Sequence, residues 1–238
     1  MAGTKRRAAK AAPATAPKSK RAAKGSRATA AKANPKGKMA KGNDLQAWFI
    51  EYQDLDRSDG QAVIMPEGFE RLCGALEFDM DGIEPMALLW RLNAAELGKV
   101  EFAGWESGMR AMNVHDTAEL KQAIRSTIDD FGRNAALFKS FYRKMFDYLR
   151  ADKQKSVAAE DAVAVLPIVT GNGWVFEKFV KFLEANGDRI KTVSRDQWQS
   201  LLELSKTLKP DLSNYSSDDA WPAMFDELVE WLKKPETA

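Results

Sequence analysis

From residue 44 onward, apolar positions recur every three to four residues almost without interruption, the period of one helix face packed on a core. The spacing predicts helices near 44–54, 67–78, 84–96, 101–112, 117–131, 135–150, 158–169, 174–185, 195–207 and 219–233. Leu137, Phe138, Phe141, Tyr142, Met145, Phe146 and Leu149 form a broad stripe on one of them. Ser194-Arg-Asp-Gln197 reads as a capping box, in which a hydroxyl and an amide side chain satisfy first-turn donors. Asp218 or Asp219 is expected to cap the last helix, leaving Pro222 in its first turn. Gly187 after Asn186 marks the end of another. No strand pattern of any length is visible, and the fold is read as all-α.

Charge divides the chain. Of its 36 Lys and Arg, 13 fall in residues 1–43, where no acid occurs, leaving 23 against 34 acidic residues and a net charge of −11 for the rest. The basic segment lacks aromatic residues and almost all large aliphatic ones, so it cannot bury enough apolar area to offset chain entropy and is expected to be a disordered tail. Lys5-Arg6-Arg7 and Lys18-Ser-Lys-Arg21 suit a nuclear-localisation signal or a non-specific polyanion contact, with a merely solvated tail as the plain alternative. The remaining 195 or so residues suffice for one large domain or two lobes.

Most site chemistries are excluded early. One Cys and one His cannot make a disulfide or a Cys/His zinc site, and no apolar run approaches a membrane span, so a soluble intracellular protein is expected. Gly171-Asn-Gly173 lacks the Lys-Ser/Thr of a phosphate loop and reads as a helix–helix turn. His115 reads as a surface turn residue, and Cys73 as a small buried hydrophobe rather than a nucleophile. Asp54-Leu-Asp-Arg-Ser-Asp-Gly60 resembles the start of an EF-hand loop, but its Gly comes one place late and Met65 stands where the bidentate Glu belongs. Asp79-Met-Asp81-Gly is weaker still. Degenerate EF-hand-like helix–loop–helix units without a metal are therefore expected, with no catalytic residue and no cofactor.

The C-terminal third carries a denser signature: Val193-Ser-Arg-Asp196-Gln-Trp198, Leu201-Leu-Glu-Leu204, Leu212-Ser-Asn214-Tyr215, then Ala220-Trp221-Pro222 with Asp226, Val229, Glu230 and Trp231. Gly68-Phe69-Glu-Arg-Leu72-Cys73, Leu88-Leu-Trp90-Arg91, Glu101-Phe-Ala-Gly-Trp105-Glu-Ser-Gly108-Met109 and Phe138-Lys-Ser-Phe141-Tyr142 precede it. Together these resemble the defective-in-cullin-neddylation family (the potentiating-neddylation, or DCUN, domain) over about residues 44–234. The resemblance implies two helical lobes, about 44–132 and 133–234. It also implies a non-catalytic scaffold ligase that promotes transfer of a ubiquitin-like modifier onto a cullin lysine.

What the resemblance carries onto particular residues is a cullin-facing patch of Asp196, Ala220 and Asp226, directed at the C-terminal winged-helix region of the cullin. It also implies a pocket for the acetylated initiator Met of the conjugating enzyme, walled by Phe69, Pro85, Leu88, Leu97, Val100, Tyr148, Leu166 and Ile168. A RING-box protein would be met through the cullin complex, in nucleus and cytoplasm. Leu166-Pro167 and Pro85 depart from the family's usual aromatic and branched aliphatic residues, which alters the expected pocket shape. The competing reading is a nucleic-acid- or chromatin-associated helical module that binds through the basic tail. A calcium sensor is the third.

Overall fold

The computed structural model describes residues 44–54, 62–151, 154–171 and 173–234. The basic segment 1–43 and most of the EF-hand-like loop, residues 55–61, lie outside the described residues. Among the described residues ten helices occupy the ten predicted places: α1 Asp44–Tyr52, α2 Pro66–Ala75, α3 Ile83–Arg91, α4 Phe102–Met112, α5 Thr117–Phe131, α6 Ala135–Leu149, α7 Ala159–Thr170, α8 Trp174–Ala185, α9 Arg195–Thr207 and α10 Ala223–Lys233. The fold is mostly helical, as the periodicity requires.

Four short strands are the correction to that reading. Antiparallel β1 (Val63–Ile64) and β2 (Val100–Glu101) pair with Ile64 opposite Val100, and β3 (Ser156–Ala158) and β4 (Thr192–Ser194) pair with Val157 opposite Val193. Ladders of two or three residues are too short to display a period of two, so the sequence hides them. Each ladder precedes helices, and β4 runs directly into the N-cap of α9. Among the described residues no helix is long and apolar enough to cross a membrane.

Aromatic side chains join the helices into one continuous core that crosses the α5–α6 turn near residue 132. Trp105 of α4 meets Trp48 and Phe49 of α1 edge-on, at 5.1 and 5.7 Å, and its indole N–H donates to the Leu45 carbonyl at 3.1 Å. Phe131 of α5 stacks on Phe141 of α6 at 4.5 Å, with Trp90 of α3 against both. Offset and edge-on ring pairs such as these contribute about 0.5–1.5 kcal/mol beyond their buried area. Tyr142 of α6 and Trp198 of α9 stack at 5.0 Å and exchange hydrogen bonds, Tyr142 Oη to the Trp198 carbonyl at 2.9 Å and Trp198 Nε1 to the Tyr142 carbonyl at 3.0 Å. Phe225 and Trp231 of α10 close over Phe179 and Phe182 of α8.

Three helix starts carry the side-chain caps that their residues offer. Asp116 and Asn134 cap α5 and α6, and the capping box at Ser194 is complete. Helix α8 ends at Asn186 as expected, though Gly187 does not adopt a left-handed conformation there. Neither Asp218 nor Asp219 caps α10. The helix starts at Ala223 with Pro222 as its N-cap, because 216–221 close into turns in which Asp219 N–H donates to Ser216 and Trp221 N–H donates to Asp219.

Gly104 and Gly108 sit one helical turn apart where α4 crosses the C-terminal end of α3. A Cβ on Gly108 would lie 2.5 Å from the Arg91 carbonyl and 2.9 Å from Leu92 Cα, and one on Gly104 would lie 2.5 Å from the Leu92 carbonyl. These are backbone atoms that cannot rotate aside. Gly108→Ala is therefore expected to destabilise the fold by about 1–3 kcal/mol, the cost of overpacking, despite the better helix propensity of Ala. Urea denaturation checks this, and an unchanged or raised midpoint would contradict the close α3–α4 approach.

Candidate functional site: acidic residues at the starts of helices α9 and α10

The β3–β4 ladder fixes the entry to α9. Val193 is fully buried beside Val157, so the next residue, Ser194, reaches the helix start in one defined orientation. Its hydroxyl accepts from Gln197 N–H at 3.2 Å, and Gln197 Oε1 accepts from Ser194 N–H at 2.8 Å. Arg195 turns back onto α6, pairing with Asp147 at 2.6 Å over the face of Phe146. Asp196 is left exposed in the first turn of α9, where the helix dipole favours its charge, while Trp198 two residues on is fully buried.

The other two residues expected to face a cullin, Ala220 and Asp226, belong to the segment from 208 to 226. Asn214 ties this segment to the end of α9: its Nδ2 donates to the Thr207 carbonyl at 2.7 Å and its Oδ1 accepts from Lys209 N–H at 2.9 Å. Leu212 takes a left-handed conformation, φ 58°, to make the bend. Ala220 is exposed between Asp219 and Trp221. Asp226 lies half-buried in the first turn of α10, and its Oδ1 accepts a 2.7 Å hydrogen bond from the Tyr215 hydroxyl. Burial, with the Asp226 carboxylate second, pushes the Tyr215 phenol up, so it remains a donor across the physiological range. A cavity of about 230 Å³ lies beside this segment, lined in part by Leu204, Leu208, Tyr215, Asp219 and Trp221.

The eight residues expected to wall a pocket have unequal environments. Phe69, Pro85, Leu88, Val100, Tyr148 and Leu166 are buried on α2, α3, β2, α6 and α7. Ile168 is half-buried, and Leu97 is 49% exposed. Tyr148 donates to the Ala94 carbonyl at 3.0 Å, which pins the turn after α3 to α6. Pro167 lies inside α7 and removes the helical bond to the Val163 carbonyl. A groove of about 500 Å³ lies between the first half of α7 and the end of α8, lined in part by Ala159, Val163, Leu183 and Ile190. None of the eight lines that groove or the smaller cavity.

The discarded chemistries also have their places. Cys73 is fully buried in α2, and burial, with the Glu70 charge second, pushes its thiol up to about 12. His115 is exposed and shares the Glu119 carboxylate with its own backbone N–H. Asp54, at the edge of the EF-hand-like loop, accepts from Met65 N–H at 2.7 Å, and Asp79 accepts from Asp81 N–H at 3.1 Å. Among the described residues no group of three or more His, Cys, Asp or Glu is arranged to hold a metal ion.

The hydroxyl of Tyr215 is what residue-by-residue reading missed. Its sequence signal was the Ser213-Asn214-Tyr215 string, which follows no helical apolar period and so has no obvious packing reason.

A family model described as cullin binding matches residues 119–231, a range that contains Asp196, Ala220 and Asp226. DCN1-like protein 5 of Homo sapiens is 34% identical over 196 residues, which cover 81% of this chain and 78% of that protein. DCN1-like protein 4 of Danio rerio is 35% identical over 193 residues, covering 79% of this chain and 65% of that protein. DCN1-like protein 4 of Homo sapiens is 34% identical over 187 residues, covering 78% and 61%. The chain thus spans just under two thirds of both DCN1-like protein 4 relatives. The resemblance carried by the Asp-Gln-Trp, Ser-Asn-Tyr and Ala-Trp-Pro strings is borne out: the chain belongs to the DCN1-like family of cullin-binding proteins.

Proposed function

We propose that this chain promotes neddylation of a cullin by acting as a scaffold. It holds the C-terminal winged-helix region of the cullin through Asp196, Ala220 and Asp226, and the acetylated N-terminus of the conjugating enzyme through an apolar pocket walled mostly by residues of the N-terminal lobe. The RING-box protein is met through the cullin. Holding both partners raises their effective concentration and orients the reacting ends, which accelerates transfer without bond chemistry from the chain itself.

The observation that carries this reading is membership of the family together with two first-turn carboxylates on α9 and α10 and an exposed small residue at 220. Carboxylates there suit basic partner side chains, and Ala220 permits close approach. Cys73 supports the scaffold role, since a fully buried thiol pushed up to about 12 supplies no thiolate at neutral pH. For the pocket, the supporting argument is desolvation. Burying a Met side chain is worth about 2–3 kcal/mol, whereas a free terminal ammonium is costly to remove from water. The nucleic-acid reading gains nothing from the family relationship, and the tail it depends on lies outside the described residues.

One pair of measurements separates the two contacts. Asp196→Lys with Asp226→Lys should abolish binding of the cullin region, because truncating one interfacial charge already costs about 2–5 kcal/mol and reversal adds repulsion. The same variant should bind an acetyl-Met peptide of the conjugating enzyme as tightly as the parent does, at least tenfold better than the free-amine peptide. Retained cullin binding would remove the patch, and equal affinity for the two peptides would remove the pocket.

The basic clusters of residues 1–43 are assigned to nuclear import, with the protein shared between nucleus and cytoplasm. Deleting 1–43 should shift a fluorescent fusion out of the nucleus while leaving the melting temperature unchanged. An unchanged distribution would reduce the tail to a solvated appendage.

A further inference from the structure

We propose that Tyr215 is a positioning residue for the cullin-facing patch: its hydroxyl holds the Asp226 carboxylate in the orientation that receives a basic side chain of the partner. The inference rests on the scaffold reading above and assigns the Ser213-Asn214-Tyr215 string a role within it.

Asp226 is an unusual carboxylate in this part of the fold. It is half-buried, yet no Lys or Arg among the described residues pairs with it; among them its side chain is met by the 2.7 Å hydrogen bond that the Tyr215 hydroxyl donates to Oδ1. Oδ2 takes no hydrogen bond from any described residue. Other carboxylates nearby behave differently: Glu227 pairs with Arg189, and Glu230 with Lys233. A partly desolvated carboxylate held by one neutral hydroxyl, with its second oxygen free, has room for an external cation.

Next comes what the hydroxyl adds. An Asp side chain in solution samples several rotamers, and fixing one of them on binding opposes association. Tyr215 removes that freedom in advance, because the phenol is itself anchored. Tyr215 packs against the core, and its neighbour Asn214 clamps the same turn to the last carbonyl of α9. Tyr215 N–H also donates to the Leu212 carbonyl at 3.2 Å, completing the bend made by the left-handed Leu212. The segment that carries Ala220 and the carboxylate of Asp226 are therefore held by one device. Because the phenol stays protonated, the bond persists wherever Asp226 is charged.

A purely structural role for Tyr215 predicts something else, namely that the hydroxyl pins the 208–222 segment and acts on stability alone. A double-mutant cycle in the full chain distinguishes the two. The probe is the isolated C-terminal winged-helix region of a cullin, titrated calorimetrically against the parent, Tyr215→Phe, Asp226→Asn and the double variant, with melting temperatures recorded for all four. Tyr215→Phe keeps the ring and removes only the donor. It is expected to weaken binding about fivefold to tenfold, Asp226→Asn by more than tenfold, and Tyr215→Phe in the Asp226→Asn background by less than a further twofold. Parent-like binding by Tyr215→Phe beside a weakened Asp226→Asn would overturn the positioning role and leave the patch standing. Equal losses from Tyr215→Phe in both backgrounds would assign it to general stability and overturn the proposal too. Parent-like binding by Asp226→Asn would sink the patch itself, and the positioning role with it.

Discussion

The reciprocal pair of Tyr142 and Trp198 is the interaction on which the presentation of Asp196 depends. Each residue donates its side-chain hydrogen to the other's backbone carbonyl, the rings stack, and both are fully buried. Neither polar group could be buried alone without a desolvation cost of about 1–3 kcal/mol. The pair therefore fixes the rotation of α9 against α6, and that rotation decides which way the first turn of α9 faces. Asp196 lies two residues before Trp198, about 200° away around the helix. Burying one exposes the other.

A second constraint positions Ala220 and Asp226. The chain leaves α9, bends through a left-handed Leu212, and is caught by Asn214 and Tyr215 before α10 begins. α10 is itself held against α8 by Phe225 and Trp231. The two acidic helix starts thus belong to separate helices, positioned by separate pieces of core, with the 208–222 segment between them. The net charge of −11 outside the basic segment is of the sign that attracts a basic surface over long range, whereas exposed first-turn carboxylates act only at contact distance.

Much of this was legible in the sequence, for reasons particular to each element. Long amphipathic stretches such as 135–149 advertise their period, and Ser194-Gln197 advertises a cap by chemistry alone. The strands were invisible because Val63–Ile64 and Val100–Glu101 are shorter than one full alternation. The start of α10 was read four residues early because Asp218 and Asp219 are good caps in general, whereas here backbone turns ending at Pro222 claim that stretch. Asp196, Ala220 and Asp226 came from family resemblance, since an acid in a first turn has a sufficient explanation in the helix dipole. The Tyr215–Asp226 bond spans eleven residues across a non-helical bend, a distance that no periodicity encodes.

A scaffold that bridges two partners has a kinetic signature. In a reconstituted transfer from charged conjugating enzyme to cullin, the initial rate should rise with the concentration of this chain and then fall once it exceeds both partners. At excess, separate copies occupy the cullin and the enzyme and divide them. A rate that climbs to a plateau and stays there, or that never responds to the chain, would contradict the account.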